Sequence, residues 1–213
     1  MNIFFMGTPE FAVPTLDILN KKYNVIGIFT QPPRPSGRGM KKIKSSIQQY
    51  SEKNKLNFYT PNNLKNDETL KLLKSLNPDL IVVVAYGLLI PEVILKIPSY
   101  GCINGHASLL PKWRGAAPIQ RAIEAGDIKT GCTSMLMEKG LDTGPMIHKK
   151  EILIKMENDV VDLFKSLSFL TAECLYETIQ KLISGDSKQT PQNNLEASYL
   201  SLIHISEPTR LQQ

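Results

Sequence analysis

The chain has 213 residues, 42% of them hydrophobic and 21% charged, which is typical of a globular protein with one α/β domain. No stretch approaches 18 uncharged apolar residues, so the sequence argues against a membrane-spanning helix. The net charge of +5 is concentrated, because positions 34–55 hold seven basic residues and one acidic residue. Such a patch either attracts a polyanion or forms a solvated surface.

The chain opens with a β-α-β pattern. The apolar run at 2–6 (NIFFM) predicts a strand that ends at Gly7, and a helix is predicted over 10–19, after Thr8-Pro9. A second strand is predicted over 24–30. This arrangement is typical of a parallel sheet.

The next segment, 31–42 (QPPRPSGRGMKK), has three prolines and two glycines and predicts an irregular basic loop. Beyond it, the hydrophobic periodicity predicts helices over 42–54, 68–76, 118–126 and 159–184, and strands over 57–61, 80–84, 102–106, 132–138 and 146–154. The fold class is therefore α/β: a Rossmann-like, doubly wound, mostly parallel sheet with helices on both faces. Ligands of such sheets bind beyond the carboxyl ends of the strands.

The cysteine spacing and the lack of signal-peptide features indicate a cytoplasmic protein without a metal. Cys102, Cys132 and Cys174 are widely spaced and odd in number, and they fit neither a disulfide framework nor a metal site. The N-terminal residues lack the basic region and cleavage site of a signal peptide. No G-x-G-x-x-G or G-x-x-x-x-G-K-[ST] motif is present, which disfavours a nucleotide cofactor.

Three polar residues are candidates for chemistry. Asn104 and His106 are two residues apart at the end of a predicted strand, so their side chains share a face. An asparagine amide and a histidine can bind an oxyanion and move a proton, although a pair near a turn can also be purely structural. Asp142 lies in a glycine-flanked loop from which its carboxylate could orient His106, or it simply forms an Asp-Thr-Gly turn.

Five segments occur in order within residues 1–199: FMGTPEFAVPTL, TQPPRPSGRG, VVAYGLLIP, HASLLPKWRGAAPIQRAI and GLDTGPM. Together they resemble the folate-dependent formyltransferases. The basic insertion and WRGAAPIQ are similar to the members that act on initiator methionyl-tRNA. The resemblance implies transfer of a formyl group from N10 of 10-formyltetrahydrofolate to the α-amino group of methionine. This acyl transfer needs donors for an oxyanion and a proton carrier, but no metal and no serine or cysteine nucleophile.

The resemblance also implies roles for individual residues. Asn104 and His106 would stabilise the oxyanion, and Asp142 would hold His106 and assist proton movement. The implied folate pocket consists of Tyr86, Gly87, Leu88, Leu89, Ile90, Ser108, Leu109, Leu110, Pro111, Gly140 and Leu141. The implied tRNA-binding residues are Arg34, Arg38, Lys41, Lys42 and Lys44. Arg38, between two glycines, is the candidate for a specific contact. A monomer without membrane association is expected.

Two features depart from the family pattern. Family members carry a second, smaller β-barrel domain that also binds tRNA, whereas here we expect a catalytic domain at 1–199 and no barrel domain. Residues 200–210 match the in-frame translation of a transposase-based sequencing-library adapter, so 200–213 are predicted to be a non-native tail. Relatives also carry an apolar residue, such as valine, at Gly105. Glycine would forfeit about 1.5–3 kcal/mol of burial there, which predicts that Gly105→Val raises thermal stability.

Other functions remain open at this level. A formyltransferase that acts on a sugar-nucleotide amine or glycinamide ribonucleotide, or a formyl-folate hydrolase, would share Asn104, His106 and Asp142 but should lack the basic insertion. A non-catalytic RNA-binding fragment is an alternative from another class.

Overall fold

A computed structural model describes residues 1–36, 41–155 and 159–199. Its strands are β1 (Asn2–Gly7), β2 (Asn24–Phe29), β3 (Arg34–Ser36), β4 (Lys41–Ile43), β5 (Phe58–Tyr59), β6 (Leu80–Val84), β7 (Cys102–His106), β8 (Lys129–Leu136) and β9 (Met146–Leu153). Its helices are α1 (Val13–Lys22), α2 (Ser46–Lys53), α3 (Asp67–Leu76), α4 (Glu92–Leu95), α5 (Pro118–Glu124) and α6 (Val160–Ser184). Within these ranges, no helix is long and apolar enough to cross a membrane.

The main sheet has seven strands in the order β5-β2-β1-β6-β7-β8-β9. The strands from β5 to β7 pair in parallel, and β8 and β9 extend the sheet in antiparallel orientation. This confirms the predicted mostly parallel α/β sheet. β6 (LIVVV) lies in its interior with all five residues buried, as expected for a strand covered on both faces.

Helices cover both faces of this sheet. On one face, residues of α1, α2, α5 and α6, among them Leu16 and Leu167, pack against Ile3 and Phe5 of β1. On the other face, residues of α3 and α4 pack against the alternate side chains of β1, which include Phe4. The alternation follows from the two-residue period of a strand. The carboxyl ends of β1, β6 and β7 therefore emerge together at one edge of a rigid scaffold.

Two helix starts differ from the sequence prediction. α1 begins at Val13, after a short 3-10 turn at Glu10–Ala12, because Pro14 fits only the first turn of an α-helix. α2 begins at Ser46, where the Ser45 side chain accepts a hydrogen bond from the Gln48 N–H at 2.9 Å.

The predicted loop at 31–42 is not wholly irregular. β3 and β4 pair in antiparallel fashion, with Arg34 opposite Ile43 and Ser36 opposite Lys41. Ile43, within the helix predicted over 42–54, lies on a strand instead and is 53% exposed. Arg38 lies outside the described residues, as do the predicted tail residues 200–213.

A larger residue at Gly105 was expected to gain burial, but the structure leaves no free space beside this glycine. A Cβ built on Gly105 would lie 2.7 Å from Thr171 Cγ2 and 2.8 Å from Leu175 Cδ1. Both contacts are closer than carbon atoms normally approach, since optimal separations are about 3.5–4.0 Å. Side chains of α6 thus fill the volume that a larger residue in β7 would need.

Candidate active site

The three residues singled out from the sequence meet at the carboxyl end of β7. Asn104 pairs with Met135 of β8 and His106 with Thr133, so both side chains lie on the same face. The loop between β8 and β9 brings Asp142 to them. Asp142 Oδ1 lies 3.4 Å from Asn104 Nδ2, and Asp142 Oδ2 lies 3.5 Å from His106 Nδ1. The contacts are long, but they join an amide, an imidazole and a carboxylate in one small volume.

A backbone carbonyl fixes the orientation of the buried His106 ring. His106 Nε2 lies 2.7 Å from the carbonyl oxygen of Trp113. Because a carbonyl oxygen can only accept, Nε2 carries the hydrogen and donates it. The other ring nitrogen, Nδ1, faces Asp142.

The backbone of Asp142 adopts a left-handed conformation, with φ of 52°. Such a conformation costs a residue other than glycine about 1–3 kcal/mol and persists only where the surroundings enforce it. One such constraint is the backbone N–H of Gly115, which donates to Asp142 Oδ2 at 2.9 Å. Another is close packing of the loop, since a Cβ at Gly144 would lie 1.8 Å from the carbonyl oxygen of Leu136.

The three side chains line a cavity of about 600 Å³. This is within the range of about 300–1,000 Å³ usual for small-molecule sites. Seven of the residues proposed for folate lie on its wall: Tyr86, Gly87, Leu88, Leu89, Ile90, Gly140 and Leu141. Apolar side chains that the sequence did not indicate complete the wall, among them Phe11, Met135, Met137 and Phe164. Most residues that line the cavity are therefore apolar, although Gln120, Glu138 and Lys139 also line it.

The turn after β6 gives this cavity a backbone wall. Ala85 and Gly87 have φ of 45° and 84°, and these positive values reverse the chain tightly around Tyr86. The Tyr86 carbonyl accepts hydrogen bonds from Thr8 Oγ1 and Gln31 Nε2, both at 2.8 Å. The ring of Tyr86 belongs to the core, and burial raises the pKa of its phenol. Tyr86 thus shapes the site mainly through its backbone.

The other four residues proposed for folate, Ser108, Leu109, Leu110 and Pro111, are not among those lining the cavity. Their hydrogen bonds hold the loop after β7 onto β8 instead. The Leu110 N–H donates to Thr133 Oγ1 at 3.0 Å, and Thr133 Oγ1 donates to the Ser108 carbonyl at 2.7 Å. Thr133 of β8 therefore anchors this segment to the sheet.

The hairpin formed by β3 and β4, called the basic hairpin below, lies beside a second, smaller cavity of about 320 Å³. Arg34 and Ile43 are on its wall, and it shares Pro9, Ala85, Tyr86 and Gly87 with the larger cavity. The two cavities therefore adjoin across the turn after β6.

The basic side chains of the hairpin differ in their surroundings. Arg34 and Lys42 are exposed, whereas the Lys44 ammonium is bound to Glu52 at 2.8 Å. Lys44 is thus partly neutralised. The backbone of Lys41 pairs with Ser36 in the hairpin, and Arg38 falls outside the described part of the chain.

Three contributors to the site were missed by the sequence analysis. They are the Trp113 carbonyl, the Gly115 N–H and the side chain of Gln192, whose amide donates to the carbonyls of Asp142 and Gly144. The first two act through the backbone, so only their place in the WRGAAPIQ motif hinted at them. No signal pointed to Gln192.

The described residues contain no group of three or more His, Cys, Asp and Glu side chains close enough to hold a metal ion. The three cysteines are free and buried. Burial raises the pKa of the Cys102 thiol to about 12, so this thiol stays protonated at neutral pH.

Comparisons with known proteins agree with this fold. Residues 1–179 match the family model described as formyl transferase. The methionyl-tRNA formyltransferase of Alkaliphilus metalliredigens is 46% identical over 204 residues, covering 95% of this chain and 65% of the relative. That of Caldanaerobacter subterraneus is 48% identical over 205 residues, covering 95% and 66%. The chain thus spans just under two thirds of the length of these relatives.

A solved structure shares the fold at lower sequence identity. It is the N-formyltransferase from Helicobacter canadensis in complex with folinic acid and dTDP-3-aminofucose. The TM-score is 0.74 at 20% identity, with 95% of this chain and 71% of the other covered.

Proposed function

Because the chain belongs to the formyl transferase family, we propose that it transfers a formyl group from 10-formyltetrahydrofolate to the α-amino group of methionyl initiator tRNA. One observation carries the proposal. Asn104, His106 and Asp142 meet on the wall of a cavity that adjoins a second cavity beside a basic hairpin. The identity of 46–48% to two methionyl-tRNA formyltransferases supports the choice of acceptor.

The chemistry requires a new C–N bond to the methionine amine and cleavage of the bond from the formyl carbon to N10. Negative charge develops on the formyl oxygen, the amine loses a proton, and N10 gains one. We assign the stabilisation of this charge to the side chains of Asn104 and His106. The Asn104 contact to Asp142 is long enough, at 3.4 Å, to give way to a better acceptor.

We assign the transfer of the amine proton to Asp142. Its carboxylate faces His106 Nδ1 at 3.5 Å and is held by the Gly115 N–H. A carboxylate in this position can orient the His106 ring and take a proton from the attacking amine, directly or through water. No side-chain nucleophile is needed, because the substrate amine attacks.

The larger cavity suits the formyl donor. Its wall is largely apolar, and its polar residues are Gln120, Glu138 and Lys139 in addition to Asn104, His106 and Asp142. The amide-like edge of a pterin is well matched by backbone donors and acceptors, and its flat face by apolar side chains. The donor would supply the activated formyl group, and the protein would hold it beside Asn104.

The acceptor would approach over the basic hairpin. Arg34 and Lys42 are exposed there, and Arg34 lines the cavity that adjoins the reaction site. Phosphates of an acceptor stem would be attracted to these charges, and such contacts position a nucleic acid rather than read its sequence. We propose that Arg34, Arg38, Lys41 and Lys42 contribute to this surface, and that Lys44 contributes less because it is paired with Glu52.

The proposal is tested by supplying the protein with 10-formyltetrahydrofolate and alternative acceptors. Methionyl initiator tRNA, glycinamide ribonucleotide and an amino sugar nucleotide are offered separately, and formylated product and free formate are measured. We expect formylmethionyl-tRNA. A formylated small amine would indicate another transferase, and formate without acceptor use would indicate a hydrolase. Binding of tRNA without turnover would identify a non-catalytic fragment.

Arg38→Ala is expected to impair the use of tRNA selectively. Loss of one charge-assisted contact costs about 1.5–3 kcal/mol, so kcat/KM for methionyl-tRNA should fall roughly 10- to 100-fold. The KM for 10-formyltetrahydrofolate should stay within about 2-fold of the wild type, because the donor occupies the other cavity. Lys53→Ala is the matched control, since it removes one exposed positive charge from α2. Equal kcat/KM for tRNA in Arg38→Ala and wild type would refute the contact.

A further inference from the structure

Residues 190–199, beyond α6, cross the two loops that meet at the candidate active site. Thr190 pairs with Met146 at the start of β9 through two backbone hydrogen bonds of 2.9 and 2.8 Å. Further along, Ser198 accepts from the backbone N–H groups of Trp113 and Arg114, at 2.8 and 2.9 Å. The 190–199 segment is therefore attached to both loops.

Gln192 lies between these attachments and joins the loops directly. Its amide nitrogen donates to the carbonyl oxygens of Asp142 and Gly144, each at 2.8 Å. Its amide oxygen accepts from Arg114 Nε at 2.9 Å. One neutral side chain thus connects the loop that carries the candidate catalytic aspartate to the residue between Trp113 and Gly115. The Trp113 carbonyl contacts His106, and the Gly115 N–H contacts Asp142.

Arg114 anchors this connection from inside the protein. It is completely buried, and its guanidinium also donates to Asn194 Oδ1 at 3.0 Å and to the Tyr199 hydroxyl. The ion pairs found in the described part of the chain do not include Arg114. A buried cation must have its donors satisfied, so neutral acceptors on the 190–199 segment hold the segment firmly to Arg114.

The contacts of Asp142 show why this connection bears on the reaction. The carboxylate contacts to Asn104 and His106 are 3.4 and 3.5 Å, too long to hold a strained left-handed residue in place. The short contacts are the Gly115 N–H to the carboxylate and the Gln192 amide to the backbone. Misplacement of a reacting group by about 1 Å can cost roughly 100-fold in rate.

We infer that Gln192 is a positioning residue that holds Asp142 at His106 through the backbone of the 142–144 loop, with Arg114 fixing the Gln192 amide. The inference rests on the proposed function insofar as Asp142 acts in formyl transfer. It extends the site to a residue that the wall of the cavity does not include.

The Gln192→Glu variant tests whether Gln192 positions Asp142 or only stabilises the fold. The variant keeps the size of the side chain and the acceptor for Arg114, but a carboxylate cannot donate to the Asp142 and Gly144 carbonyls. We expect kcat for formylation of methionyl-tRNA to fall about 10- to 100-fold, with the KM for 10-formyltetrahydrofolate changed less than about 3-fold. Amide hydrogen exchange over residues 138–146 should become faster by about 10-fold.

Asn194→Ala is the matched control, because Asn194 is another acceptor for Arg114 and has no contact with the 142–144 loop among the described hydrogen bonds. It should lower the melting temperature while leaving kcat and exchange at 138–146 unchanged. The inference is overturned if Gln192→Glu leaves exchange at 138–146 unchanged, if exchange rises while kcat does not fall, or if Asn194→Ala lowers kcat equally. An inactive wild type would refute the proposed function, and the exchange data alone would then decide whether Gln192 holds the loop.

Discussion

Asp142→Asn is expected to lower kcat for formyl transfer by roughly 100- to 10,000-fold while the protein stays folded. Asparagine has the same size and can still accept the Gly115 N–H that the carboxylate accepts at 2.9 Å. It cannot accept a proton at neutral pH, and it places no negative charge beside His106 Nδ1. The effect should appear in kcat rather than in the KM for the folate donor, because the interaction is needed mainly in the transition state.

Asp159→Asn provides the matched control for this change. Asp159 caps α6 by accepting from the Asp162 N–H at 2.8 Å, and asparagine caps a helix about as well as aspartate. The control removes the same charge without entering the site, so activity should stay at the wild-type level. If Asp142→Asn kept more than about a third of the wild-type kcat, the role of the carboxylate in proton transfer would be disproved.

Gly105→Val is expected to destabilise the protein, contrary to what the sequence pattern suggested. The first carbon of the new side chain would already lie 2.7 Å from Thr171 Cγ2 and 2.8 Å from Leu175 Cδ1. Overpacking of this kind costs about 1–3 kcal/mol, and each kcal/mol lowers the melting temperature of a protein of this size by about 2–4 °C. Thermal unfolding followed by circular dichroism would measure the loss.

A second substitution tests whether steric overlap causes the destabilisation of Gly105→Val. Thr171→Ala removes Cγ2, one of the two atoms that block the new side chain, and leaves Leu175 Cδ1 in place. The double variant Gly105→Val/Thr171→Ala should therefore regain part of the lost stability, as a positive coupling between the two sites. A higher melting temperature in Gly105→Val alone would contradict the packing argument, and so would an absence of coupling.

The parts of the fold that could be predicted are those with a strong local pattern. The runs NIFFM and LIVVV became buried parallel strands, because uninterrupted apolar residues are stable only where both faces of a strand are covered. The two-residue period correctly placed Asn104 and His106 on one face. Their meeting with Asp142 required only that the loop after β8 return to the end of β7.

The parts that could not be predicted depend on tertiary packing or on the backbone. The pairing of β3 with β4 joins two three-residue strands that contain one apolar side chain, Ile43, so no periodicity reveals it. The fit between Gly105 and Thr171 depends on how α6 crosses the sheet. The bonds from Trp113 and Gly115 use groups that every residue carries, and only the path of the chain beyond α6 brings Gln192 to Asp142.

A labelled formyl group reports most directly on acyl transfer at the site of Asn104, His106 and Asp142. Excess protein is mixed with 10-formyltetrahydrofolate, labelled in the formyl carbon, and with methionyl initiator tRNA, and the label on the methionine amine is followed with time. We predict a single-turnover transfer that is slowed about 100-fold or more by Asp142→Asn and is unchanged by Asp159→Asn. Equal rates in wild type and Asp142→Asn, or label recovered only as formate, would contradict this function of the site.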